Sequence, residues 1–389
     1  MKGLRIVVDI SPISLQRGRW FRRHVLSLLN ALQEDKSPNR YSFLSRDKTL
    51  LDRFFPRDDA RFRIEHPWRR IPMLHRRPSW MGHLGKYFLS DVDVVHFPCS
   101  DIWLGPPRMR AVVTLHDFIP FCFPERFFKN AKEEKSYRFL LDRIAENATL
   151  LIAVSQHTRN EALKFLRVKP ERVRTVYNAV DSLFLTGTKS SSRKEMEELG
   201  LGVPFFLFVG ALDFRKNIPL LLEAFSLYRA KGGKANLVLV GNQDPGNPTY
   251  FPPLEPLLEK SKDRKYIVWL RNVTDELLPG IYAKALALVF PSMAEGFGYP
   301  LVEAMASGIP VIASKTTCLP EIAGGAAWLV ELTPEDWAHA MAEVEEDKNL
   351  RERLVTKGRK RLEVFYPARF AEDMLAVYRQ ALTDGKSPQ

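Results

Sequence analysis

The chain has 389 residues, 45% of them hydrophobic and 11% aromatic; this is too long for one ordinary core and too apolar for a disordered chain, so two domains are expected. The formal net charge of +12 is one-sided: residues 1–187 hold 33 Lys and Arg against 20 Asp and Glu, while the remainder holds 25 against 26. Cys99, Cys122 and Cys318 have no paired spacing, which excludes a zinc signature and a disulfide framework and fits buried thiols in a reducing cytoplasm.

The chain opens MKGLRIVVDIS, where Asp9 breaks the apolar run before it reaches the length of a signal peptide. No window reaches the length of a membrane span. A cytoplasmic protein is expected, attached to the inner face of the membrane at most peripherally. The basic, aromatic-laced stretch at 61–80, with Arg69, Arg70, Arg76 and Arg77, is either a solvated surface or a contact for anionic lipid or an acidic acceptor. No nucleic-acid motif accompanies the charge, so nucleic acid is not expected as a partner.

LRIVVDI at 4–10 reads as a buried strand, and FRRHVLSLLNALQ as the helix after it. DVVHF (93–97), AVVTLHD (111–117), LLIAVS (150–155) and VRTVYN (173–178) continue the series. Runs rich in Val and Ile on both faces, separated by helical patterns, predict a parallel sheet with crossover helices. The rhythm lapses in the polar segment 186–202, read as a linker between a domain at 1–185 and one at 203–365. It resumes with PFFLFVG, ANLVLVG, YIVWL, ALALVFPS and IPVIAS, a second doubly wound α/β unit. Tyr366-Pro367 interrupts the C-terminal helical stretch, and 366–389 is expected to form a helix packing back on the first domain.

Two such sheets in tandem would turn their carboxyl ends toward one cleft, and open α/β sheets bind ligands beyond those ends. After the first strand of the second domain comes Gly210, then Arg215 and Lys216 ahead of a helix starting near Pro219. Two cations beside a helix N-terminus can hold an anion, although such a pair is ordinarily just solvated. Later the chain reads ALVFPSMAEGFGYPLVEAMASGIPVIAS: a strand, a loop with Glu295, Gly296, Phe297 and Gly298, and a helix opened by Pro300 that carries Glu303. The glycines permit close backbone approach to a ligand, and the carboxylates can accept hydrogen bonds from sugar hydroxyls. An isolated glutamate here would more simply cap the loop or sit on the helix surface. His116 follows the strand AVVTL and precedes Asp117, where it is either structural or poised at the cleft.

These segments, together with GALDFRKNI, TLHDFIPFCFPE, AVSQHTRNEALKFL and VRTVYNAVD, resemble the retaining glycosyltransferases of the family-4 type, whose mark is Glu, seven residues, Glu. The wording is closest to bacterial mannosyl- and rhamnosyltransferase relatives. The resemblance spans most of the chain and implies the GT-B architecture, two Rossmann-like domains facing a cleft. It implies a nucleotide diphosphate sugar as donor, GDP-mannose as first choice, and a glycan or lipid-linked acceptor in surface polysaccharide or lipopolysaccharide synthesis. Neither cofactor nor metal is implied.

By matching position, Glu303 would hold the ribose. Glu295 and the backbone of Gly296, Phe297 and Gly298 would hold the donor sugar. Arg215 and Lys216 would neutralise the diphosphate, and His116 would lie beside the transferred sugar. Catalytic roles thus fall to His116, Arg215, Lys216 and Glu295. Gly18, Gly210, Asn272 and Val273 complete the donor-binding set. The chain departs from the family pattern at Arg17-Gly18-Arg19-Trp20, where a second glycine is usual, and at Arg271-Asn272, so base preference does not carry over. A non-hydrolysing sugar-nucleotide epimerase and an inactive binding protein on the same scaffold are the alternatives.

Overall fold

The computed structural model describes residues 3–10, 19–44, 59–65, 92–100, 110–186, 193–244 and 246–384. Gly18 and the four arginines Arg69, Arg70, Arg76 and Arg77 lie outside the described residues. The chain divides into two compact units, Met1–Ala179 with Pro367–Gln389, and Val180–Tyr366.

The first unit holds strands β1 (Arg5–Asp9), β2 (Arg40–Leu44), β3 (Phe62–Glu65), β4 (Val94–Phe97), β5 (Ala111–Leu115), β6 (Leu150–Ala153) and β7 (Val173–Thr175). They form one sheet in the order β3-β2-β1-β4-β5-β6-β7, and every neighbouring pair is parallel. The inner strands β1, β4, β5 and β6 are buried on both faces, whereas the edge strand β7 exposes Arg174. Ile6 and Val8 of β1 turn toward the helices Arg19–Gln33 and Pro367–Asp384, joining Val25, Leu28, Leu29, Met374 and Tyr378 in one cluster. Val7 turns the other way, to Val95, Val113, Leu141 and Ile144. This period-two division of consecutive residues between two cores is what a strand buried on both sides requires.

The chain crosses into the second unit at Ala179 and Val180, ahead of the polar segment 186–202. Val180 donates its N–H to the Phe365 carbonyl at 2.9 Å, and the Phe184 ring packs edge-on against Tyr282 at 5.4 Å. The described part of the polar segment carries the short helix Arg193–Glu198. In that described part Glu197 and Glu198 are exposed while Met196 and Leu201 are buried, and the chain passes from one unit to the other ahead of it.

The second unit holds β8 (Phe205–Val209), β9 (Asn236–Val240), β10 (Ile267–Leu270), β11 (Ala287–Phe290), β12 (Val311–Ser314) and β13 (Trp328–Val330). Their order is β10-β9-β8-β11-β12-β13, again parallel throughout. In each sheet the order reverses between the first strand and the fourth: β1 beside β4, β8 beside β11. At such a switch point the connections leave toward opposite sides and open a crevice beyond the strand ends. Among the described residues, no helix is long and apolar enough to cross a membrane.

Candidate active site

The second unit brings Asp213, Arg215, Lys216 and Glu295 together at the β8–β11 switch point. Beyond β8 the chain makes a 3-10 turn, Phe214–Lys216, before the helix Ile218–Ala230. Asn217 joins the two in the left-handed region, φ 52°. Asp213 organises this turn: its Oδ1 accepts the backbone N–H of Arg215 at 3.0 Å and the Arg215 Nε–H at 2.9 Å, and its Oδ2 accepts from the guanidinium at 2.8 Å. Burial works against the Arg215 charge. Asp213 chiefly, with Tyr250 and Glu295, overrides it and holds the guanidinium above its ordinary value.

The loop beyond β11 is stitched to that turn by the Met293 N–H, which donates to the Arg215 carbonyl at 2.7 Å. Lys216 then donates its ammonium to the Glu295 carboxylate. Both side chains are buried, Lys216 with 7% and Glu295 with 9% of their surface exposed, and the Lys216 ammonium also lies 5.0 Å from the Phe290 ring centroid. Desolvation opposes the Glu295 charge, but Lys216 first and Arg215 second hold its carboxyl below the ordinary value of 4.5. In the resting protein each cation already has a carboxylate, Arg215 with Asp213 and Lys216 with Glu295. An arriving anion therefore competes for cations that are partnered, and the four side chains together carry no net charge.

Glu303 is not the helix-surface residue that an isolated reading allows. It is 1% exposed, and its Oε2 accepts the Tyr282 hydroxyl at 2.8 Å. Its helix, Tyr299–Ala306, starts at Gly298, whose φ of +85° lies in the left-handed region. A Cβ on Gly298 would come within 2.7 Å of Leu319 Cδ2. Gly298→Ala should thus destabilise the protein by about 1–3 kcal/mol through backbone strain and this clash, read as a fall in the urea midpoint at unchanged m-value.

Gly296, Phe297 and Gly298 are buried in the same loop, and the Phe297 ring packs edge-on against Tyr299 at 5.2 Å and Phe365 at 5.7 Å. Gly210 sits under Lys216: a Cβ there would stand 3.6 Å from its Cε. Gly210, Arg215, Lys216 and Glu295 thus come together. Asn272 and Val273 follow β10, two strands from β8. Asn272, at φ 54°, exchanges hydrogen bonds with Asn242 at 2.9 and 3.0 Å, and Val273 is 7% exposed.

Sequence reasoning passed over Asp213 and Tyr282. An Asp two residues before an Arg is a recognisable local ion-pair signal, whereas nothing in the sequence ties Tyr282 to Glu303. Among the described residues, no three His, Cys, Asp or Glu side chains gather as a metal-ligand set.

Residues 191–361 match the family described as glycosyl transferases group 1, and residues 22–182 match glycosyltransferase family 4. The chain joins a glycosyltransferase family 4 domain to a glycosyl transferases group 1 domain, the two matches together spanning most of its length. It is 28% identical over 357 residues to O-antigen chain mannosyltransferase B of Escherichia coli, covering 89% of this chain and 85% of that protein. It is 31% identical over 249 residues to the serotype-specific mannosyltransferase WbdA of Escherichia coli, covering 60% of this chain but 29% of that longer protein. The crystal structure of Anabaena HepE in complex with UDP and glucose superposes with a TM-score of 0.73 at 18% identity, covering 97% of this chain and all of that one. This last likeness is one of fold, the GT-B architecture of two Rossmann-like units.

The first unit of this glycosyltransferase places His116 at the carboxyl end of β5. Its Nε2–H donates to the Pro98 carbonyl, 2.7 Å away beyond β4, so Nε2 carries a proton. The His24 ring stands edge-on to it at 4.7 Å, and His24 Nδ1 bonds the Asn178 side-chain oxygen at 2.8 Å. Burial keeps His24 well below the ordinary value, with His116 adding to the effect. Burial likewise pushes His96 down to about 3, His116 again contributing.

Asp117, next in the chain, lies near Glu161. Burial first and Asp117 second push the Glu161 carboxyl up to about 7 from 4.5. A carboxyl with a raised folded-state value lends stability that is fully present below 4.5 and lost as pH rises through about 7. Glu161→Gln cannot ionise. It should match the wild type near pH 4.5 and exceed it by about 1–2 kcal/mol at about pH 8, after allowance for solvent screening, as measured by urea denaturation at the two pH values.

Proposed function

We propose that this glycosyltransferase moves mannose from GDP-mannose, with retention of configuration, to a hydroxyl of a glycan or lipid-linked acceptor during synthesis of a surface polysaccharide. The observation that carries the donor reading is the buried Lys216–Glu295 pair beside Arg215 at the β8–β11 switch point. Mannose is favoured by the named activities of the two Escherichia coli relatives.

In this reading the donor's diphosphate draws Lys216 and Arg215 away from their carboxylates. The two cations stabilise the charge that develops on the departing nucleoside diphosphate, as a metal does in other enzymes, so neither metal nor cofactor is required. Glu295, released in part from Lys216, accepts hydrogen bonds from the donor sugar. Glu303 accepts from the ribose, with its carboxylate oriented by the Tyr282 hydroxyl. His116 hydrogen-bonds the transferred sugar, and a Glu295 held by cations suits that duty better than nucleophilic attack. Attack from the same face, assisted by the donor phosphate, then preserves configuration. The excess positive charge of the first half fits a peripheral site on anionic membrane where a lipid-linked acceptor resides.

The test is a thermal-shift and turnover screen across GDP-, UDP-, ADP- and dTDP-sugars, with the anomeric configuration of the product read by NMR. Selective stabilisation and turnover with GDP-mannose, giving an α-linked product, is expected. Preference for another donor overturns the mannose assignment, and an inverted product overturns retention. Epimerised free donor would point to an epimerase, and binding without any turnover to a binding protein. Salt-sensitive co-sedimentation with phosphatidylserine or cardiolipin vesicles is expected of the membrane reading, and absence of binding at low salt would remove it.

A further inference from the structure

The turn after β12 grips the Glu295 loop through consecutive side chains. The Thr316 hydroxyl donates to the Ser292 carbonyl at 2.8 Å, and the Ser314 hydroxyl donates to the same oxygen. The Glu295 N–H donates to Thr317 Oγ1 at 3.0 Å, and the Cys318 thiol donates to the Glu295 carbonyl at 3.1 Å. Both polar groups of the Glu295 main chain are therefore held by two adjacent residues from a neighbouring strand end.

Thr317 does this at a conformational cost. Its φ is +46°, in the left-handed region where a β-branched side chain is a steric outlier. Such strain persists only where the surroundings over-determine it, and it concentrates at functional sites. Glycine would sit there without strain but would leave the Glu295 N–H without its hydroxyl acceptor. Cys318, fully buried with its thiol pushed well above the ordinary value by burial, stays a neutral donor.

We propose that Thr317, seconded by Cys318, is a positioning residue that fixes the Glu295 main chain so that its carboxylate meets the donor sugar. The inference rests on the reading of Glu295 as a sugar contact. The Thr317 hydroxyl acts on Glu295 directly and through Cys318, with which it also bonds, and because Glu295 pairs with Lys216 the readout is the ratio of GDP-mannose to GDP affinity.

The test compares calorimetric affinities for GDP and for GDP-mannose in the wild type, Glu295→Gln, Thr317→Val, Thr317→Gly and Thr317→Ser. Valine keeps the branched shape and loses the hydroxyl; glycine loses the hydroxyl and relieves the strain, so a folded variant without the clamp is available either way. Thr317→Val and Thr317→Gly should lower the preference for GDP-mannose over GDP by about tenfold, as expected for one misplaced charged hydrogen bond. Thr317→Ser should restore the preference. Hydrogen exchange of the ligand-free protein should show the Glu295 amide opening in the Val and Gly variants and protected in the Ser variant. Unchanged exchange in Val and Gly overturns the clamp whatever the donor is. A preference lost in Glu295→Gln but kept in both overturns it while sparing the Glu295 reading. A preference kept in Glu295→Gln as well overturns the reading on which it rests.

Discussion

Replacing Lys216 by methionine should lower turnover by about two to three orders of magnitude, the usual effect of removing one preorganised group that stabilises transition-state charge. It should also destabilise the fold, because it strands the buried Glu295 carboxylate. Breaking one side of a buried ion pair costs about 3–5 kcal/mol. The lower end of that range is expected here, since Arg215 also acts on Glu295. The double variant Lys216→Met with Glu295→Gln removes the stranded charge and should recover most of the stability while remaining inactive. The pH response separates the two effects further. In the wild type the Glu295 carboxyl is held below 4.5, so its contribution is present above that value and lost only as pH falls through the depressed folded-state value. Without Lys216 the carboxyl protonates more readily, and the stability gap between variant and wild type should close as pH falls below about 4.5. Urea denaturation across pH 3.5–8 reads both outcomes. Near-normal turnover in the single variant would remove Lys216 from the mechanism, and a double variant no more stable than the single would show that the pair is not energetically coupled.

Glu303→Gln is the second large effect. The amide keeps the size of the side chain and can still accept the Tyr282 hydroxyl, so the fold should hold. What is lost is the charge of a carboxylate that is 1% exposed and hydrogen-bonded by Tyr282. Hydrogen bonds to a charged group are worth about 1.5–3 kcal/mol, so affinity for GDP should fall by about 10- to 100-fold. Turnover at saturating donor should stay within about threefold, because the ribose contact is alike in ground and transition states. Calorimetry with GDP and steady-state kinetics measure the two. Undiminished GDP affinity would take the ribose role away from Glu303.

Much of this was readable along the chain. IVV in the first strand, AVV in AVVTL and the whole of LLIA are consecutive apolar residues, which a strand buried on both faces explains, and parallel sheets followed. Pro300 marked the start of the Glu303 helix because its fixed φ and missing N–H suit the first turn. Arg215 and Lys216 stood out as cations beside a helix N-terminus. Their partners were less legible. Asp213 is local and was overlooked, while Lys216 and Glu295 are 79 positions apart, and Tyr282 and Glu303 meet only because two helices pack together. The sequence suggested cations waiting for a diphosphate; in the folded chain each is already paired.

The Thr317 turn marks the same boundary from the other side. Nothing in SKTTCLPEI foretells a positive φ at a threonine, since local preference argues against it. Local sequence determined the strands, the helix starts and which residue types could bear charge, because those depend on periodicity and on short-range sterics. Which carboxylate neutralises which cation, and which strained residue holds Glu295 in place, was decided by tertiary structure alone. Those contacts form between segments that only the ordering of β8, β11 and β12 in one sheet brings within hydrogen-bonding distance.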